Sequence, residues 1–313
     1  MKIIVIAFIG LALFSCKKED PLNAKLTTYT TREGLFNNYV NNIVIDPQGN
    51  PIVGCGSYSK EKQLYEGGIS KFDGTNWTTY HKGDGLADDC ILSMAIDGQG
   101  NSWIGTNGGG VSKFDGTNWT TFTQADGLGG NYIWSIAIDE KGNKWFGTYG
   151  GLTKFDDENW KSYNIAQVMA IAVDTEGNKW FGTGLVGLWK LDDAEKISCT
   201  QIPGKEFNGY IMAITIDSQG NIWCSNSVGV CKFDGTNWTT YTTENGLASD
   251  EVNCMKADKQ GNIWVGTNKG ISKFDGIAWT NYLPKKYVQA IAFDAMGNKW
   301  IGTQGDGLIV WKD

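Results

Sequence analysis

Histidine is almost missing from this chain: His81 is the single one in 313 residues. That leaves a Ser-His-Asp triad one candidate base and removes the usual imidazole ligands of a zinc site. Proline is also scarce, at 5 against 42 glycines, a balance that suits many tight turns between short strands. A basic excess is lacking too, with 27 Lys and Arg against 34 Asp and Glu, a net charge of −7. Without a basic footprint to displace counterions, nucleic acid is not an expected partner. Past residue 15 no apolar stretch is long enough to span a bilayer. Clustered cysteines are absent as well. There is no C-x-x-C, and after Cys16 only Cys224 and Cys231 lie close, across one predicted hairpin. A bridge fits there, but six separate buried thiols are the preferred reading. No metal and no cofactor are expected.

What is present begins with a leader. Lys2 is a positive n-region, and Ile3 to Phe14 form an apolar h-region too short for a membrane span. It ends Leu13-Phe14-Ser15-Cys16, which resembles a bacterial lipobox. Residues 1–15 are read as a lipoprotein signal peptide, Cys16 as the lipidated residue, and 16–24 as a tether. Ordinary signal cleavage that leaves Cys16 free is the competing reading. Lys17-Lys18-Glu19-Asp20 resembles the surface-export tether of Bacteroidota lipoproteins, so an outer-membrane lipoprotein on the periplasmic or cell-surface side is expected.

From residue 25 on, the chain is a repeat. Asp-x-x-Gly-Asn occurs seven times, starting at Asp46, Asp97, Asp139, Asp174, Asp217, Asp258 and Asp294. A period near 40 made only of strand-like segments is the spacing of propeller blades. Before each Asp, positions one and three are large and apolar, as in Ile216 and Ile214, while positions two and four are mostly small, as in Ala137 and Ser135. Such period-two alternation marks a strand, here an innermost strand A crowded at the axis. Asp accepts backbone hydrogen bonds in the following turn, and Gly supplies the positive φ. Strand B follows, as in Lys144 to Thr148, then strand C, as in Gly110 to Asp115, then an Asp-Gly-Thr-Asn turn and strand D, as in Trp119 to Phe122.

The seventh unit lacks strand D. Leu26-Thr27-Thr28-Tyr29 and the residues to Leu35 align with Trp238-Thr239-Thr240-Tyr241 and the residues to Leu247. Residues 25–30 are therefore predicted to complete the last blade and close the ring, which removes an open sheet edge. The expected fold is all-β, a seven-bladed β-propeller of four-stranded antiparallel blades over residues 25–313. Trp103, Trp145, Trp180, Trp223, Trp264 and Trp300 recur in strand B, and Trp77, Trp119, Trp160, Trp238 and Trp279 at the start of strand D. Each such ring removes about 150–250 Å² from water when buried, so these are read as packing between blades and not as ligand-stacking surfaces.

The units resemble two-component regulator propeller repeats, most closely in GLASDEVNCMKADKQGNIWVGTNKGISKFD from Gly246 to Asp275. The resemblance implies a periplasmic sensor propeller of the kind found in hybrid histidine kinases and linked to glycan sensing. No transmembrane helix, kinase or DNA-binding segment follows the last blade, so only the sensing or binding module is implied. Similar D-x-x-G-N-x-W units occur in lyase and hydrolase propellers, so the repeat alone does not settle the activity.

The A–B and C–D turns are nearly identical between blades, while the D–A and B–C loops differ. Differences between blades create the asymmetric surface that recognition of one ligand needs. The expected site is therefore on the D–A and B–C face, over the channel mouth. Its candidates are Tyr58, Tyr65, Asn107, Asn131, Tyr132, Trp134, Tyr149, Tyr210, Lys269 and Gln304, aromatic faces and amides suited to sugar rings. Tyr58 and Tyr65, with Lys60, Glu61 and Lys62, are assigned to a long B–C insertion of blade 1. Lys256 stands where most blades have Ala, and is read as channel lining. Catalytic residues are not expected. His81 is a loop residue, and the pairs Asp88-Asp89 and Asp192-Asp193 point to opposite faces of their segments. The leading expectation is a monomeric, non-enzymatic lipoprotein that binds a carbohydrate or an envelope protein. A protein-docking scaffold and a propeller lyase or glycoside hydrolase are the alternatives.

Overall fold

A computed structural model describes residues 26–61, 64–165, 167–184, 187–200, 202 and 210–312. The signal peptide, Cys16 and the tether lie outside these residues. Lys62 lies outside them too. The chain forms seven four-stranded antiparallel sheets. Strands A are Val40–Ile45, Ile91–Ile96, Ile133–Ile138, Val168–Val173, Ile214–Ile216, Val252–Ala257 and Val288–Phe293, in blades 1 to 7. Leu26–Tyr29 is the outer strand of blade 7, pairing with Leu308–Trp311 from Leu26 opposite Trp311 to Tyr29 opposite Leu308. The ring is thus closed by the two ends of the chain, as the matching decapeptides predict.

The core is distributed. Seven hydrophobic clusters occur, each straddling two adjacent blades: Val53 and Cys55 of blade 1 with Ala290, Trp300 and Leu308 of blade 7, for example. The glycine two residues after the strand-B Trp permits this contact. A Cβ on Gly105 would stand 2.6 Å from Ile133 Cγ2 of the next blade. A methyl group there would force neighbouring blades apart.

The repeated Asp is a hub. Asp97 Oδ1 accepts from the backbone N–H of Gln99 and Asn101 at 3.0 and 2.9 Å. Its Oδ2 accepts from Asn101 Nδ2 and Trp103 Nε1 at 2.8 and 2.9 Å. The same Trp-to-Asp bond recurs at Asp139, Asp174, Asp217, Asp258 and Asp294. This explains the Trp six residues after each of these Asp: its ring fills the blade interface while its N–H locks the turn.

Two regions depart from the sequence reading. In blade 1, strands B and C are lengthened to Pro51–Ser59 and Leu64–Phe72. Tyr58 and Tyr65 are cross-strand partners in this hairpin, not loop residues. The cause is Gly67, which lies opposite Gly56 and so near the next blade that a Cβ would meet Asp89 O at 2.4 Å. Glycines that read as loop formers here let a strand pass close to its neighbour. In blade 5, strand A is only Ile214–Ile216, because Ser225 replaces the strand-B glycine and its Oγ accepts from the N–H of Met212 and Ala213.

Cys224 and Cys231 sit directly opposite each other across strands B and C of blade 5, and both are free, buried thiols. Burial pushes the Cys224 thiol well above its ordinary range. All six described cysteines are free.

Candidate binding site at the channel mouth

Strand A enters each blade at the face where the D–A and B–C loops lie, and at that end it is irregular. In blades 1, 2, 3, 4, 6 and 7 the register slips by one residue after the first pair, a β-bulge. The extra residue has no partner on strand B, and its side chain is released from the alternation toward the axis. These residues are Asn41, Leu92, Trp134, Met169, Asn253 and Gln289, with Met212 at the same step in blade 5. All seven line a cavity of ≈ 400 Å³ at the mouth of the central channel. Each stands five residues before the repeated Asp.

The ring is sorted. Blades 6, 7 and 1 contribute amides, Asn253, Gln289 and Asn41. Blades 2 to 5 contribute Leu92, Trp134, Met169 and Met212. The wall below is more apolar, with Asn42 and Met255 on the amide side and Met94, Ile136, Ile171 and Ile214 on the other. Two amides are anchored: Asn41 Nδ2 donates to Gly56 O at 2.9 Å and Asn253 Nδ2 to Val288 O at 3.0 Å. The carbonyl oxygen of each side chain accepts no hydrogen bond among the described residues. Gln289 and Asn42 make no hydrogen bond among the described residues. The hydroxyls in the wall are committed, Ser93 Oγ donating to Ile133 O at 2.9 Å and Ser135 Oγ accepting from Ile171 N at 3.1 Å. They clamp consecutive blades. No charged side chain lines the cavity.

Of the ten candidates read from sequence, Trp134 is the one in the cavity wall. Tyr132, Tyr149, Tyr210 and Tyr65 are exposed rings on the surrounding face. Asn131 holds the loop before blade 3: its Oδ1 accepts from Gln124 N at 2.9 Å, and its carbonyl from Gly108 N and Gly110 N. Asn107 bridges to Tyr132, and Gln304 to Tyr39, in the same way at two blade junctions. Lys269 is exposed, its N–H bonded to Thr267 Oγ1 and its carbonyl to Lys285 N–H. For Tyr58 the structure gives the strand position beside Tyr65. The loop candidates are therefore spread around the rim, and the convergent residues are those of the bulge. Reading alternation back only four positions from each Asp stops one residue short of the ring.

Three carboxylates on this face serve the backbone, while Asp306 pairs with Lys286 and Glu251 accepts from Asn268 Nδ2. Asp89 Oδ1 accepts from Lys82 N at 2.6 Å, Asp250 Oδ1 from Thr243 N at 2.6 Å, and Asp88 Oδ1 from Cys90 N at 3.0 Å. His81 lies at the outer end of blade 1, where it caps a 3-10 turn, Lys82–Asp84. Its Nδ1 accepts from Gly83 N at 2.8 Å, the bond that the hydroxyls of Thr123 and Thr242 make in the equivalent turns of blades 2 and 5. No group of three or more His, Cys, Asp or Glu side chains that could hold a metal occurs among the described residues. No helix among them is long and apolar enough to cross a membrane.

The chain carries two component regulator propeller repeats, matched at residues 127–150 and 246–269. No curated protein is similar to it in sequence. Solved structures share its fold. The extracellular domain of BT3049 from B. thetaiotaomicron, described as a hybrid two component system, is 22% identical with a TM-score of 0.74. That match covers 91% of this chain and 41% of the other, so the chain spans well under half of that ectodomain. Virginiamycin B lyase from Staphylococcus aureus, solved with quinupristin as an inactive histidine-to-alanine variant, is 14% identical with a TM-score of 0.74, covering 92% and 99%. PorZ, a surface component of the type-IX secretion system of Porphyromonas gingivalis, is 17% identical with a TM-score of 0.70, covering 90% and 47%.

Proposed function

We propose that this chain is a non-enzymatic, sensor-type propeller that binds a saccharide at its channel mouth and is held at the cell envelope by a lipid on Cys16. The observation that carries the reading is the sorted ring. Seven non-equivalent side chains converge on one cavity, with unpaired amide groups on one side and an indole and thioethers on the other. Unpaired amides supply donors and acceptors for hydroxyls, and Trp134 offers a ring face for the apolar side of a sugar. A few placed polar groups in a concave, partly apolar wall are the usual composition of a small-molecule site.

Two observations favour binding over catalysis. The S. aureus lyase on this frame is described as inactive once a histidine becomes alanine, whereas the one histidine here is a turn cap at the outer rim. Asp89 and Asp250 are occupied with backbone N–H groups, Asp306 with Lys286 and Glu251 with Asn268, and no carboxylate lines the cavity, whereas a glycosidase needs two carboxyls facing each other across a pocket. The anchor fits the geometry. Leu26 pairs with Trp311, and Trp311 with Lys299, at the face opposite the cavity. A tether of residues 16–24, reaching about 30 Å when extended, would hold that opposite face toward the bilayer and leave the mouth open.

Thermal unfolding against a panel of oligosaccharides tests the reading. Specific binding to the folded state raises the midpoint with dose, by about 2.7 kcal/mol of stability at 100 times Kd. One saccharide class is expected to shift the midpoint, and Trp134→Ala or Asn253→Ala to abolish the shift, with His81→Thr leaving it intact. A shift that survives both cavity substitutions removes the site from the channel mouth.

A further inference from the structure

Below the cavity lies one cation. Lys256 is on strand A of blade 6, two residues past Cys254, which lines the cavity. Residues two apart on a strand share a face, about 6–7 Å apart along it. Lys256 therefore points to the same side as Cys254, one level deeper, and its four-carbon stem can carry the ammonium up to the cavity floor. The equivalent residues in the other blades are Val44, Ala95, Ala137, Ala172, Thr215 and Ala292. None bears a charge.

The fold gives this lysine nothing to do. It makes no hydrogen bond or ion pair among the described residues, yet it is solvent-exposed, in contrast to the buried Lys144 and Lys179. Water reaches it through the channel while protein surrounds it, and that partial desolvation lowers its ammonium pKa. The neighbouring Cys254 thiol does not neutralise it, because burial pushes that thiol up to about 12. Asp258, two residues further along, is committed to Asn262 and Trp264. Thr215 Oγ1 is occupied by the N–H of Ala257 at 3.2 Å. An unpaired ammonium in a channel weakens the fold, since six other blades close with Ala, Val or Thr at this level.

Building on the channel-mouth reading, we infer that the floor of the cavity is an anion site, where Lys256 holds the single negative charge of the ligand. The ligand's body lies between Trp134 and Met169 on one wall and Asn253 and Gln289 on the other, with its charged group directed down the axis. One cation, with no second nearby among the described residues, matches a monoanion, such as a carboxylate on a sugar or on an aliphatic chain. A phosphate monoester would bring a second charge with nothing to balance it.

Lysine ¹³C-dimethylation followed by NMR reads this site directly, with the Lys256 signal assigned by its loss in Lys256→Ala. That variant installs the residue of blades 2, 3, 4 and 7, so its unfolding midpoint is expected to stay at or above that of the parent. The probes are D-glucuronate and hexanoate, which carry one carboxylate on a hydroxylated and on an aliphatic body, with D-glucose as the neutral control. At least one carboxylate should move the Lys256 signal in a saturable way while glucose does not, and its affinity should fall at least tenfold in Lys256→Ala. The preferred carboxylate identifies the body that the wall accepts. A Lys256 signal unmoved by both carboxylates overturns the anion site. If neutral saccharides still shift the melting of the parent protein and not of Trp134→Ala, the channel-mouth reading survives that failure.

Discussion

Replacing Asp97 by Ala should lower the unfolding free energy by about 3–5 kcal/mol, measured by denaturant titration. The carboxylate accepts four hydrogen bonds, and its loss leaves the N–H of Trp103, which is wholly buried, without a partner. A buried donor left unpaired costs about 1–3 kcal/mol, and bonds to charged acceptors are worth more than neutral ones. Asp97→Asn keeps an acceptor for the turn but turns an amide N–H₂ toward the indole N–H or the Asn101 amide, so it should recover only part of the loss. The same hub has a pH signature. Burial alone would raise the carboxyl pKa values of Asp97, Asp174, Asp217 and Asp258. The hydrogen bonds from Trp, Asn and the turn backbone outweigh it and hold all four below the usual range. Groups with depressed folded-state values stabilise fully above the unfolded value of about 3.9, and that stability is lost as pH falls through the folded values. Acid unfolding should therefore set in below about pH 4, and Asp97→Ala should flatten the acid limb.

Deleting Leu26–Tyr29 should make the protein aggregate or self-associate more than the parent on gel filtration and lower its thermal midpoint. These four residues pair with Leu308–Trp311, every one of which is buried in the closed ring. Without them blade 7 presents an apolar strand with unpaired backbone groups, the arrangement that templates edge-to-edge association. A deletion variant that elutes and melts like the parent would mean that three strands suffice for blade 7 and that the ring is not held by its ends.

Much of this architecture was legible because it is repeated. Seven Asp-x-x-Gly-Asn strings set the number of blades, and the likeness of residues 26–35 to 238–247 identified the closing strand. The partnership of each Asp with a Trp six residues later was visible as spacing, though its bond to the indole was not. The site was harder to read, for a physical reason. Alternation assigns side chains to faces only while the period of two holds, and a bulge breaks it at the one step that matters. Asn41, Leu92, Trp134, Met169, Met212, Asn253 and Gln289 share a fixed offset from Asp but share no residue type, so a search for recurring motifs passes over them. Trp134 stands out in the sequence as an aromatic near a loop, and it lies in the ring. The exposed tyrosines followed from composition alone, and the structure spreads them round the rim. His81 reads as a loop residue until the turns of blades 2 and 5 show Thr in its place.

Methionine oxidation footprinting, read by mass spectrometry with and without the saccharide that shifts melting, tests the central claim most directly. Met169 and Met212 line the cavity, while Met296 is 81% exposed in the A–B turn of blade 7 on the opposite face. Binding at the channel mouth should protect Met169 and Met212 from oxidation and leave Met296 unchanged. Protection of Met296, with Met169 and Met212 still oxidised at their free rates, would place the ligand on the face of the repeated turns and contradict this account.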